Sequence, residues 1–113
     1  MNDGDMPLEV DVVTVAEMQK TGHAFVLLDV REQPEFVAAR IDGSRLIPMS
    51  ELADRVQELE EVRDEHIVVH CHHGVRSLQV THALRQAGFA RTQSMAGGID
   101  QWSDLVDHAV PKY

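Results

Sequence analysis

The segment Cys71-His72-His73-Gly74-Val75-Arg76-Ser77 places a thiol, two imidazoles, a guanidinium and a hydroxyl within seven residues. It lies between an apolar run read as a strand, HIVVHC, and a helical pattern that begins at Ser77. A short turn from the carboxyl end of a parallel strand into a helix points successive backbone N–H groups inward and adds the positive helix end, so it cradles an anion. Gly74 suits such a loop because it adopts positive φ without steric cost. A cysteine at the base of that cradle is favoured as thiolate, which makes Cys71 the candidate nucleophile. Arg76, separated from the cysteine by four intervening residues, is placed to bind the oxygens of an anionic substrate held over the sulfur.

The neighbouring constellations point elsewhere. His70, Cys71, His72 and His73 contain metal-ligand chemistry, but neighbours on an extended strand face opposite ways and no CxxC or HExxH spacing is present, so no metal site is expected. His23, His66, His82 and His108 are scattered and read as surface or structural histidines. Asp29 and Arg31, two apart at the end of the run FVLLDV, share a strand face on the edge where open α/β sheets bind ligands. They are expected to form a charged network supporting the loop; the alternative is that Asp29 caps the following turn.

The elements that must hold these residues follow from periodicity. Five short runs rich in branched residues, 10–13, 25–30, 45–47, 66–71 and 92–95, alternate with helical patterns, which predicts βαβ units and a parallel sheet covered on both faces. Thr14 with Glu17 fits a capping box, Gly22 stops the helix it starts, and Pro34 suits the first turn of a second. Ser50 is expected to cap a helix that turns Leu52, Val56, Leu59 and Val62 to the core. Residues 51–65 hold seven acidic and two basic residues, a balance of −5, read as a solvated face or a docking surface for a basic partner. Val80, Ala83, Leu84 and Ala87 mark a helix over 77–87 ended by Gly88, while Gly97 and Gly98 make a tight turn into the last helix.

At 113 residues the chain suits one hydrophobic core, with residues 1–9 a flexible N-terminus, 10–113 a single domain and the last few residues, Tyr113 among them, frayed. A net charge of −9 argues against nucleic acid and against anionic membrane surfaces. One cysteine excludes an internal disulfide and four-ligand zinc sites built on several cysteines. With no signal-peptide pattern and no membrane-length apolar run, the expected setting is the cytoplasm.

Four motifs in order resemble those of the rhodanese family of sulfurtransferases. They are LLDVREQPEF (Asp29, Arg31, Glu35, Phe36), IDGSRLIP (Ile41, Gly43, Ser44, Ile47, Pro48), the Cys-x-x-Gly-x-Arg-Ser loop, and GGIDQW (Gly97, Gly98, Trp102). The resemblance implies a three-layer α/β fold with a central parallel five-stranded sheet, and an enzyme that moves sulfur by covalent catalysis. Cys71 would accept sulfur from a donor such as thiosulfate or a protein persulfide and pass it to a thiol, cyanide or a protein acceptor. The loop residues His72, His73, Gly74, Val75 and Ser77 would cradle the persulfide, Arg76 would bind the donor, and no cofactor is called for. A cysteine desulfurase or sulfur-carrier protein is an implied partner.

Two departures qualify the resemblance. His72 and His73 stand where many members carry Arg or Lys, which lowers the fixed positive charge at the loop mouth and predicts poor use of thiosulfate. Protonation of the two histidines below their ordinary pKa of about 6.5 would improve donor binding at lower pH. Arg40 replaces a common histidine with no catalytic effect expected. A cysteine phosphatase of the dual-specificity type also flanks an anion loop with Cys and Arg, but with five intervening residues where this chain has four. A non-catalytic interaction or persulfide-carrier module is the remaining alternative.

Overall fold

The near-continuous apolar runs FVLLDV and HIVVHC form two of the three inner strands of a five-stranded sheet. In the computed structural model, which describes residues 6–113, the strands are β1 (Glu9–Asp11), β2 (Val26–Asp29), β3 (Arg45–Leu46), β4 (Ile67–His70) and β5 (Thr92–Ala96). Their order is β1-β5-β4-β2-β3, and every neighbouring pair is parallel. The register of β2 on β4 sets Asp29 beside His70, so the charged end of one strand meets the reactive end of the other. Helices α1 (Val12–Thr21), α2 (Gln33–Ala38), α3 (Leu52–Arg55), α4 (Val75–Gln86) and α5 (Gly98–Leu105) complete the described chain. None is long and apolar enough to cross a membrane.

Alternation along the strands separates two cores. Leu27 and Val68 pack with Val12 and Val15 of α1 and with Ile99 and Trp102 of α5. Leu28, Val69 and Cys71 pack on the other face with Val80 and Leu84 of α4 and with Leu59. The accessible surface, 6073 Å², matches the roughly 6,200 Å² that a single folded unit of this mass exposes.

Local chemistry moves several boundaries away from the sequence expectation. The run 10–13 splits: the strand ends at Asp11, whose carboxylate accepts a 2.7 Å bond from the Thr14 N–H, so Asp11 rather than Thr14 caps α1. Gly22 ends α1 at φ +75° as expected. In α2 the capping box pairs Glu32 with Glu35 around Pro34. The long helix expected from Ser50 is four residues of α-helix followed by a 3₁₀ stretch over Val56–Val62. Side chains three apart eclipse in that geometry, so Val56, Leu59 and Val62 all turn to the core. Ser50 does not cap; its hydroxyl donates to Glu32 Oε1 at 2.7 Å.

Both chain ends are held where they are described. Arg85 Nη2 donates to the carbonyls of Met6 and Pro7, and Ser94 N–H donates to the Leu8 carbonyl, so 6–9 is fastened to β5 and α4. The remainder of the flexible N-terminus expected from sequence, 1–5, lies outside the described residues. Tyr113, expected to fray, is 42% exposed but tied down by the polar contacts described below.

Candidate active site

β4 ends at His70, and four residues later Gly74, at φ +109°, turns the chain into α4. Cys71 sits at the base of this turn, only 2% exposed. Its Sγ accepts backbone N–H bonds from Gly74 at 3.2 Å and Ser77 at 3.3 Å. The buried Ser77 hydroxyl lies 3.5 Å from the sulfur, donates to the Gly74 carbonyl and contacts Ser94 Oγ at 2.8 Å. Two N–H dipoles converging on one sulfur stabilise negative charge there without reorganising when the charge develops. Val75, the first helical residue, is 68% exposed and leaves the mouth of the loop open on one side.

The loop is braced from behind by α5. Ile99 N–H donates to the Cys71 carbonyl at 2.9 Å and Asp100 N–H to the His72 carbonyl at 3.1 Å. Only glycine permits this approach: a Cβ on Gly98 would lie 2.4 Å from the His72 oxygen. The Gly97-Gly98 turn therefore fixes the loop as well as starting the helix.

Arg76 is not a free cation. Its Nη1 and Nη2 bind the two Glu35 oxygens at 2.7 and 2.8 Å, and this pairing holds the Glu35 carboxyl down at a pKa of about 2. Tyr113 donates its hydroxyl to Glu35 Oε2 and accepts from Arg31 Nη1, both at 2.9 Å. Arg31 is wholly buried; it pairs with Asp29 at 2.7 Å and donates to the carbonyls of Ala39 and Glu35. Asp29 and Arg31 make no direct contact with Cys71 among the described residues; Arg31 meets Tyr113 and Glu35, and Asp29 faces His70 beside the loop. Asp29 also accepts from the Arg31 N–H, so its turn-capping and ion-pairing roles coincide.

Glu35 and Tyr113 were missed as site residues from sequence. Glu35 had a signal, since it stands four residues after Arg31 in one motif; Tyr113, 78 residues from Glu35, had none.

The histidines divide into inner and outer. His70 is fully buried 3.7 Å from Asp29 Oδ2, neither ring nitrogen has a hydrogen-bond partner among the described residues, and burial pushes its pKa down to about 4. His72 stacks on His73 at 3.9 Å and on Tyr113 at 4.1 Å between ring centroids. Burial and the neighbouring His73 lower its pKa, so the gain of positive charge expected near pH 6.5 moves to lower pH. Because both rings sit in a turn rather than an extended strand, they do not face apart, and Asp100 lies beside them.

Residues 11–105 match the family model of the rhodanese-like domain. The chain belongs to that family. Human thiosulfate:glutathione sulfurtransferase is 34% identical to this rhodanese-like domain over 88 residues, covering 67% of this chain and 76% of the human protein. Adenylyltransferase and sulfurtransferase MOCS3-2 of Zea mays is 34% identical over 109 residues, and the chain spans about a quarter of its length, 23%. Among solved structures, a rhodanese-related protein from Thermoplasma volcanium superposes with a TM-score of 0.77 at 34% identity, covering 87% of this chain and 92% of that one. The five-stranded parallel sheet is the fold that the family's motifs implied.

Proposed function

We propose that this rhodanese-like domain transfers sulfane sulfur through a persulfide on Cys71. The observation that carries the reading is the Cys71 sulfur held under the N–H groups of Gly74 and Ser77. The Cys71 thiolate attacks the outer sulfur of the donor; with thiosulfate, the S–S bond breaks and sulfite leaves with the electron pair. A new S–S bond places a terminal sulfur within the loop formed by His72, His73, Gly74, Val75, Arg76 and Ser77. An acceptor thiolate or cyanide then attacks that terminal sulfur, and Cys71 leaves again as thiolate. No second cysteine exists to intercept the persulfide, so the acceptor comes from outside the chain.

Charge at the mouth favours some donors over others. Glu35 neutralises Arg76, and His72 and His73 supply no fixed cation. A dianion such as thiosulfate has to compete with Glu35 for the guanidinium, whereas a persulfide on a protein or small thiol brings less charge. We therefore favour a protein persulfide donor such as a cysteine desulfurase, a thiol or sulfur-carrier acceptor, and a reducing cytoplasmic setting. The test is intact-protein mass spectrometry of wild type and Cys71→Ser after thiosulfate or a cysteine desulfurase with cysteine, then after cyanide. A gain of one sulfur on wild type alone, removed as thiocyanate, is expected. No gain from either donor overturns the reading, and Cys71-dependent hydrolysis of an aryl phosphate would replace it with the phosphatase alternative.

A further inference from the structure

We propose that His72, His73 and Asp100 form a site for one divalent late first-row cation, Zn²⁺ being the type ion, on the rim of the loop that carries Cys71. One ligand atom from each residue lies within 4.8 Å of the other two. The donors come from two elements locked together by backbone: the Asp100 N–H is bonded to the His72 carbonyl, the Ile99 N–H to the Cys71 carbonyl, and Gly98 lets them meet. The main chain therefore fixes the two stretches that carry the donors relative to one another, and side-chain rotation sets the final donor spacing.

Two imidazole nitrogens and a carboxylate oxygen are a donor set for zinc, and three protein ligands leave a fourth position for water or another ligand. Zinc bonds of about 2.0–2.1 Å put tetrahedral donors roughly 3.3–3.5 Å apart, so the widest separation has to close by a little over ~1 Å. His73 is exposed and the other two are partly so, which leaves room for that rotation. Asp100 already holds a cation in the folded chain: Lys112 Nζ lies 2.9 Å from Asp100 Oδ1. It also lies 2.8 Å from Asp104 Oδ2, so a metal ion can take Asp100 and leave the ammonium on its second carboxylate.

The test is calorimetric titration of Zn²⁺ into tag-free full-length protein in a Cys71→Ser background, which removes the thiol, with Co²⁺ absorption as the probe of ligand type. One-to-one binding is expected, with a nitrogen and oxygen ligand spectrum. Asp100→Asn and His73→Gln should each weaken it at least about tenfold, and Lys112→Ala should strengthen it by removing the competitor. No one-to-one binding at about 100 µM metal overturns the proposal. So does unchanged affinity in the Asp100→Asn, His73→Gln double variant, which would put the ion on other histidines. Lys112→Ala keeps the test open should that double variant fail to fold. Because the readout is metal bound by a chain without its thiol, failure here leaves the sulfur-transfer reading untouched.

Discussion

At the residue scale, the pairing of Arg76 with Glu35 decides how the loop meets an anion. Glu35→Gln keeps the shape and removes the charge that competes for the guanidinium. The two side chains are 32% and 22% exposed, so the pair's value is set at about 1 kcal/mol rather than at that of a buried pair. Steady-state kinetics with thiosulfate should accordingly show KM reduced about fivefold with kcat little changed. Tyr113→Phe, which removes one hydrogen bond to the same carboxylate, should move KM the same way by less. A raised KM in Glu35→Gln would mean that Glu35 positions Arg76 for the donor rather than competing with it.

The buried histidine sets a pH dependence of its own. His70 takes up a proton in the folded state only near pH 4, while in the unfolded chain it does so near 6.5, so the unfolded state binds more protons between those values. Folding stability contributed by neutral His70 is therefore present above about pH 6.5 and lost as pH falls toward 4, by at most about 3 kcal/mol. Asp29 and Arg31 face it with opposing influences, Asp29 favouring its charge and Arg31 disfavouring it. Glu35 acts lower: its depressed carboxyl keeps its contribution down to about pH 4.5 and loses it toward pH 2. Urea unfolding of wild type and His70→Leu across pH 4–7 checks the sign. The variant should have the shallower slope, with a remainder from His66, whose pKa burial also lowers. Equal slopes would remove His70 from the account.

At the element scale, two glycines with similar backbone angles should behave differently. Gly22 has φ +75° with nothing within 4 Å of a Cβ, so Gly22→Ala carries only the left-handed backbone cost, about 1 kcal/mol, and should leave sulfur loading alone. Gly98 at φ +60° has the His72 and Cys71 carbonyls 2.4 and 2.6 Å from the added carbon, and main chain there cannot yield without moving the loop. Gly98→Ala should cost about 2–3 kcal/mol and also slow persulfide formation on Cys71. Thermal unfolding and loading rate measured together separate the two; loss of stability with loading intact would mean that α5 does not position the loop.

The same scale shows what could be read in advance. The strands were legible because β2 and β4 are covered on both faces and need branched residues throughout, and α4 because its apolar positions run at helical spacing up to Gly88, although it starts at Val75 rather than at Ser77. The 51–62 segment misled because spacings of three and four were read together as an α-helix, although Val56, Leu59 and Val62 repeat at three, the 3₁₀ period. Cys71, Gly74 and Ser77 were legible as one local turn. The Arg31–Tyr113–Glu35 junction was not, since it is assembled from two stretches, 31–35 and the distant Tyr113, that only the folded chain brings together.

At the scale of the whole molecule, charge is unevenly spread. Residues 51–65 hold −5 of the net −9. Local pairs blunt this field without removing it: Arg55 is shared between Glu51 and Glu58, and Arg63 is held by Glu60. Beside the segment runs an apolar groove of about 350 Å³ between Leu52, Val56 and the α4 residues Val80, Ala83 and Leu84. Under the proposed sulfur transfer, an apolar groove beside an acidic segment would suit a basic protein donor, and charges flanking such a groove act mainly on the rate of encounter. Glu58→Lys with Glu61→Lys should slow transfer from a basic protein persulfide about tenfold at low ionic strength and converge with wild type at high salt, where screening removes the steering. Loading from a small persulfide should be unchanged by the same substitutions, because they are remote from the Cys71 loop in the chain and alter no group that contacts the sulfur. Protein-to-protein transfer that keeps its wild-type rate at low salt would show that the acidic segment is a solvated face and that the donor approaches elsewhere.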